Sequence, residues 1–308
     1  MDTKNNYNHV INKTVITPVV DKEKCTGCGT CVEECPSLTA KMVDDKADIQ
    51  MTGEVLDCVE CGHCISVCPS DAITDPLAGP GDNRKYKFSD LPTSESLQVL
   101  FRSRRSVRSY KDKPVSREDL EKILNAARFA PTGGNKPLDV NYLVLSTPEA
   151  VAKIRKPVLD AVTRMFNMLN KTIVRVLVGP LVGKENMKTI INYIPLLERF
   201  RNIYDTTGKD MMLWNAPAAI IVHGKKRNDT IAFGCAIALH HAVLMGETMK
   251  IGSCYNGLFQ EAINNDPKTK KMFGIPKGHK CYGAMTLGYT KPKYMRVVRR
   301  VPSEVTWR

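Results

Sequence analysis

Two periods of apolar residues run through this chain. Leu120, Ile123, Leu124 and Ala127 recur at i, i+3, i+4 and i+7, the spacing that lines one face of a helix. Ser116-Arg-Glu-Asp119 ahead of them has the form of a capping box, and Pro131-Thr-Gly-Gly-Asn135 stops the helix in a loop. A helix capped by Ser94 is predicted through Leu97, Leu100 and Phe101. Val140 to Leu145, Ala218 to Val222 and Cys281 to Leu287 read as strands. Residues 148–210 read as mostly helical. Between Ile231 and Met249 the apolar residues lie almost all round, which predicts a helix buried on every side. The Pro/Gly/Asp stretch from Asp75 to Asn83 has no period and reads as a linker. The part beyond it is predicted to be α+β, helices around a modest sheet.

Cysteine spacing changes the picture before the linker. Eight of the eleven cysteines form one run twice, Cys25, Cys28, Cys31, Cys35-Pro36 and Cys58, Cys61, Cys64, Cys68-Pro69. Each reads C-x2-C-x2-C-x3-C-P, the bacterial spacing for a [4Fe–4S] cluster. Structural zinc takes four ligands, usually as two pairs, and leaves half of each run unexplained. A disulfide framework suits small secreted domains, and Met1 to Val10 lacks the apolar core of a signal peptide. His63, inside the second run, reads as a solvated turn residue.

The doubled run, repeating at 33 residues, resembles a two-cluster bacterial ferredoxin. That resemblance implies that the fourth cysteine of each run serves the other cluster. Cys25, Cys28, Cys31 and Cys68 would then hold one cluster, and Cys58, Cys61, Cys64 and Cys35 the other.

Charge splits along the same line. The net charge of +13 divides into −7 over residues 1–80 and +20 over the rest. Opposite charges on joined domains favour docking. The basic residues are dispersed, without a helix-turn-helix, zinc-finger or RNA-stacking signature, so no nucleic-acid partner is expected. No apolar stretch is expected to reach the ~18 residues of a membrane span. A cytoplasmic chain without a membrane partner is expected.

Four later segments carry a second resemblance. Arg104-Arg105-Ser106-Val107-Arg108 is similar to the R-R-S-x-R signature of the nitroreductase family. Ala130 to Asn135 resembles its A-P-S-x-x-N segment, Gly252 to Gly257 its third, glycine-bearing loop, and Leu287-Gly288-Tyr289 with the basic tail to Arg300 its last strand and phosphate-facing arm. The whole chain resembles the ferredoxin–nitroreductase fusions of anaerobes. This implies a two-[4Fe–4S] ferredoxin-like domain over 1–80, a linker over 81–93 and an FMN-binding nitroreductase-like α+β domain over 94–308, assembled as a homodimer.

The family binds FMN, whose phosphate suits guanidinium and hydroxyl donors. The resemblance gives that role to Arg104, Ser106 and Arg108, at alternating positions of one extended stretch. Arg105 would reach the ribityl chain or ring carbonyls. Pro131, Thr132 and Asn135 would pack on and hydrogen-bond the ring, the first two on the partner subunit's flavin. Gly252, Ser253 and Gly257 would let backbone approach the ring, and Arg299, or else Arg296, would close on the phosphate. The family's glutamine after the asparagine is missing in Asn135-Lys136-Pro137. Tyr193, Phe200, Tyr204 and Trp214 are candidate substrate-wall residues or ordinary core.

The flavin does the chemistry in this family, so no side chain is assigned acid–base duty. The implied activity passes electrons from the clusters to FMN and on to a small acceptor such as a nitroaromatic, quinone or activated alkene. Reduced ferredoxin or NAD(P)H would be the donor. Two other readings stay open: an electron-transfer or redox-sensing flavoprotein without its own substrate, and reductive dehalogenation on the same fold.

Overall fold

A computed structural model describes residues 18–54, 56–76, 78, 83–132, 140–172, 176, 180, 183–226 and 229–308. The chain divides into two compact units, the first ending at Leu91 and the second beginning at Pro92.

In the first unit the 33-residue repeat is visible in the backbone. The short helices α1 (Thr30–Glu33) and α2 (His63–Ser66) occupy equivalent places. Left-handed φ values recur at Gly27 and Glu60 (74° and 57°), Gly29 and Gly62 (76° and 73°), and Leu38 and Asp71 (57° and 54°). Gly27 has a second reason to lack a side chain, because a Cβ there would lie 2.5 Å from the Asp45 carbonyl oxygen. Strand β1 (Val19–Val20) pairs antiparallel with β4 (Ile73–Thr74), and β2 (Ala40–Val43) with β3 (Lys46–Ile49). The buried core is small: Cys25, Cys31, Ala40, Ala47, Ile49, Ala72 and Ile73. Part of the expected linker is ordered, with a 3₁₀ turn at Phe88–Asp90 in which the Asp90 carboxylate accepts from the Lys87 N–H (3.0 Å).

The second unit is built on an antiparallel sheet in the order β5 (Asn141–Leu145), β6 (Ala218–Lys225), β8 (His279–Tyr289), β7 (Ile251–Tyr255). Side chains of β6 alternate between two cores, as strand geometry requires. Ala219 and Ile221 join α5 (Pro148–Asn170), α6 (Lys184–Thr207) and α8 (Gly257–Asn265) on one face. Ala218, Ile220 and Val222 join α4 (Arg117–Arg128) and α7 (Asp229–Thr248) on the other. Helix α9 (Pro267–Met272) follows α8. This is the α+β architecture expected, with helices on both faces of the sheet.

Local expectations hold with three corrections. Helix α3 (Ser94–Ser103) is capped by Thr93, whose hydroxyl accepts from the Ser96 N–H (3.2 Å), rather than by Ser94. Ser116 does cap α4, but the Asp119 carboxylate accepts from the Tyr289 hydroxyl (2.6 Å). That bond ties α4 to the end of β8 and holds Asp119 below the usual aspartate range. Helix α7 is not buried all round: Ile231, Cys235, Leu239 and Val243 are, while Phe233 is 68% exposed and Ala236 and His240 face outward. By length and composition its residues Thr230–Thr248 could also cross a membrane. The sequence expectation misses this because His240, His241 and the glycines interrupt the apolar run; the helix packs against the sheet as a core element.

The expected helical stretch over 148–210 is largely α5 and α6. Asp160 on α5 accepts from Arg201 on α6 (2.6 Å) and pairs with Lys156 (3.3 Å). Burial pushes its carboxyl up, but the Arg201 and Lys156 hydrogen bonds outweigh this and hold it below its ordinary value. A depressed folded value means stability that is present above the unfolded value of about 3.9 and lost as pH falls through the folded one. Asp160→Asn is therefore expected to destabilise the chain at neutral pH and flatten the acid limb of urea stability against pH. An acid limb unchanged by the substitution counts against this pair.

Candidate functional site

Thiol placement in the first unit follows the crossed pattern. A cavity is lined by Cys25, Cys28 and Cys31 together with Cys68 from the other run. Burial pushes the Cys64 thiol up to about 11, and the thiols next to it that act in the same direction are Cys58, Cys61 and Cys35. Among the described residues no three His, Cys, Asp or Glu side chains converge on one ion. Four thiols around a cavity suit the wider core of a cluster, whereas zinc needs sulfurs about 2.3 Å from a single centre.

Donors to sulfur are already in place. The Ala47 N–H reaches Cys25 Sγ (3.5 Å), the Glu60 N–H reaches Cys58 Sγ (3.4 Å) and the Ala72 N–H reaches Cys68 Sγ (3.3 Å). The Thr30 hydroxyl lies 3.5 Å from Cys28 Sγ. Backbone N–H groups of Ala47 and Gly27 hold the Cys25 thiol below its usual value. Hydrogen bonds to sulfur stabilise the thiolate that a cluster requires and tune its potential. His63 is exposed at the start of α2.

In the second unit the arginine stretch leaves α3 at Arg104 and runs beside β7. Ser106 pairs parallel with Ser253, and the Val107 N–H donates to the Ser253 carbonyl (2.9 Å). Val107 is buried and Ser106 and Arg108 are exposed, as expected of an extended stretch with one face to solvent. Below it Cys254 is 3% exposed. Burial raises its thiol, and the Arg108 charge with hydrogen bonds from Arg108 and Ser106 opposes that rise. Arg104 stands near an open groove of about 590 Å³ whose walls include Phe101, Ala236, His240, Leu244 and Tyr255. That volume falls within the ~300–1,000 Å³ typical of small-molecule sites. Burial pushes Tyr255 up to about 12, opposed by the Arg104 charge. Burial lowers His240, and the Arg104 charge lowers it further.

Ser106, Val107 and Arg108 thus run along β7 at Ser253, and Arg104, just before them, acts by its charge on His240 and Tyr255 of the groove wall. Arg105 is diverted. Its guanidinium donates to the carbonyls of Arg102 (2.7 Å), Arg104 (2.9 Å) and Arg296 (3.1 Å), so it staples the C-terminal tail to the arginine stretch. Gly252 sits in strand β7 rather than a loop, and a Cβ on it would lie 2.4 Å from Val107 Cγ2. Its bareness serves this internal contact. Gly257 opens α8 with nothing within 4 Å of a built Cβ. Thr132 packs on α7 at Gly234, and Pro131 is exposed. Arg299 is exposed in a tail without regular structure. Asn135 lies outside the described residues.

Neither Tyr255 nor His240 carries a local sequence signal of a site. Their hydroxyl and Nδ1 are 3.5 Å apart across the groove, and only the fold brings these two segments together. Of the candidate wall residues, Phe200 and Tyr204 pack against the core, while Tyr193 is 40% exposed. Trp214 meets Phe200 edge-on and carries Arg108 over its ring.

The fold and site define an α+β domain that follows a small cysteine-rich unit in the chain. Residues 101–289 match the nitroreductase family and residues 17–76 match a 4Fe-4S dicluster domain. The chain belongs to the nitroreductase family and is an oxidoreductase with a ferredoxin-like module fused at its N-terminal side. It is 27% identical over 202 residues to an Archaeoglobus fulgidus protein named as an NADH dehydrogenase/NAD(P)H nitroreductase, covering 64% of this chain and 86% of that one. A Bacteroides fragilis nitroreductase crystallised with FMN is 20% identical at a TM-score of 0.49, covering 68% of this chain and 96% of that one. A Desulfitobacterium hafniense nitroreductase with bound FMN is 19% identical at 0.48, covering 70% and 99%.

Proposed function

We propose that this chain is an FMN-dependent reductase in which two [4Fe–4S] clusters supply electrons to the flavin for reduction of a small organic acceptor. The acceptor class is a nitroaromatic, quinone or activated alkene. The observation that carries the reading is the alternation of Arg104, Ser106 and Arg108 along a stretch fixed to β7, which leaves helix α3 just after Phe101 in the wall of an open groove. Bound FMN would supply two-electron chemistry, and each cluster one electron at a time.

The chain's own contribution is binding and orientation. Arg104, Ser106 and Arg108 would hold the phosphate, whose charge suits bidentate guanidinium donors. Ser253 presents backbone beside them. Pro131, Thr132 and Asn135 would border the ring, and Arg299 would close over the phosphate. Cys25, Cys28, Cys31 and Cys68 would ligate one cluster, and Cys58, Cys61, Cys64 and Cys35 the other. Domain limits of 1–80 and 94–308 accompany this reading.

A homodimer with two FMN goes with it. The outward face of α7, with Phe233 exposed on a core helix, suits a partner surface, and Thr132 packs at Gly234 on that same helix. The donor would be reduced ferredoxin or NAD(P)H, in the cytoplasm.

Anaerobic purification with metal, sulfide and flavin analysis tests the assignment. About eight irons and one FMN per chain are expected from eight cysteine ligands, eluting as a dimer. Zinc in place of iron, or a flavin-free chain, would overturn it. Anaerobic stopped-flow then orders the donors by the rate at which each bleaches the flavin.

A further inference from the structure

Trp214 holds a conformation that a bulky residue avoids. Its φ is 61°, and that of Asn215 is 49°. A left-handed aromatic residue persists only where its surroundings over-determine it, and such positions cluster at functional sites.

The surroundings are specific. The Asp210 carboxylate, in a residue only 3% exposed, accepts the N–H groups of Met212 and Leu213 (both 2.9 Å) and Asn215 (3.2 Å). Arg155 Nε lies 3.5 Å from the same carboxylate. From the other side, the Asn256 amide donates to the Met212 carbonyl (2.7 Å), while its oxygen accepts the Phe259 N–H (3.0 Å). Asn256 directly follows β7, the strand along which Ser106 and Val107 lie. One strand end therefore sets both the loop and the arginine stretch.

The product of this bracing is an indole aimed at Arg108. Arg108 Cζ sits 5.6 Å from the Trp214 ring centroid, and Phe200 abuts the indole edge-on at 6.2 Å. A carboxylate in this place would neutralise Arg108. An aromatic face restrains the guanidinium and leaves its charge for an anion.

We infer that Trp214 is a positioning residue that pre-sets Arg108 for bound FMN, an inference that rests on the FMN reading above. Restraining a flexible side chain before binding lowers the ordering cost of the complex.

FMN titration of the deflavinated full chain tests this. Trp214→Leu is expected to weaken FMN binding roughly 3- to 30-fold, the range of a cation–π contact, and Trp214→Phe to restore most of it. In an Arg108→Met background, Trp214→Leu should cost almost nothing more. Affinity unchanged in Trp214→Leu, or a loss fully additive with Arg108→Met, would overturn the inference while leaving FMN binding intact. A wild-type chain that takes up no FMN removes the FMN reading and this inference with it. Should Trp214→Leu not fold, Trp307→Phe leaves Trp214 as the sole tryptophan, since the chain has two. Its emission should then shift in Arg108→Met and be quenched by FMN; emission indifferent to both would sink the idea.

Discussion

Cys68→Ala is expected to strip the cluster held by Cys25, Cys28 and Cys31, halving iron from about eight to about four per chain. The reason is placement, since Cys68 lines the same cavity as those three residues, 37 or more positions earlier in sequence. Additivity makes the test sharp. Cys28→Ala with Cys68→Ala removes no more iron than either alone, because both belong to one site. Cys61→Ala with Cys68→Ala removes all of it. If ligation were local to each run, these two outcomes would be exchanged. Iron and sulfide analysis, with low-temperature EPR of the reduced protein, reads the result.

Loss of both clusters together should unfold the first unit. Its core contains two cysteines, three alanines and two isoleucines, too little apolar surface to hold so small a fold without a staple. Metal binding is then a large part of its folding free energy. Chelation under oxidising conditions is expected to abolish hydrogen-exchange protection at Asp21, Gln50 and Cys58, whose backbone N–H groups bond across this unit. Protection in the four-stranded sheet of the second unit should survive.

What could be read in advance depended on how far each physical cause reached along the chain. The Ser116 N-cap and the period of Leu120 to Ala127 are set within a dozen residues and form as expected, whereas Asp119 leaves the expected capping box for the distant Tyr289. Ser106 and Arg108 are exposed on either side of buried Val107, because alternation is local to an extended stretch. Arg105 fails the same logic, since its partners include the Arg296 carbonyl, nearly 200 residues away. The outward face of α7 is hidden for a related reason: an apolar helix buried on every side and one with an exposed face have the same composition. Trp214 shows the limit most clearly, as neither its φ nor its place under Arg108 leaves a mark on neighbouring residues.

Two glycines of one segment are expected to respond in opposite ways, Gly252→Val being severe and Gly257→Ala mild. At Gly252 even a Cβ would lie 2.4 Å from Val107 Cγ2, 2.6 Å from Thr290 Oγ1 and 2.7 Å from Val107 Cβ. Val107 is 1% exposed and its N–H is bonded to Ser253, so it cannot retreat without peeling the arginine stretch from β7. Overpacking of this kind costs about 1–3 kcal/mol, and more where backbone must move. FMN affinity should fall more than tenfold, about 1.4 kcal/mol or more, because Ser106 and Arg108 flank the displaced residue. At Gly257 a methyl group meets nothing within 4 Å, and the position is the first of helix α8. Alanine there is expected to raise stability by up to about 1 kcal/mol through helix propensity and a less flexible unfolded chain. Urea unfolding and FMN titration of both variants measure the contrast. Similar losses at the two positions would mean that Gly257 also approaches a ligand, and that the open space beyond it is a binding surface rather than solvent.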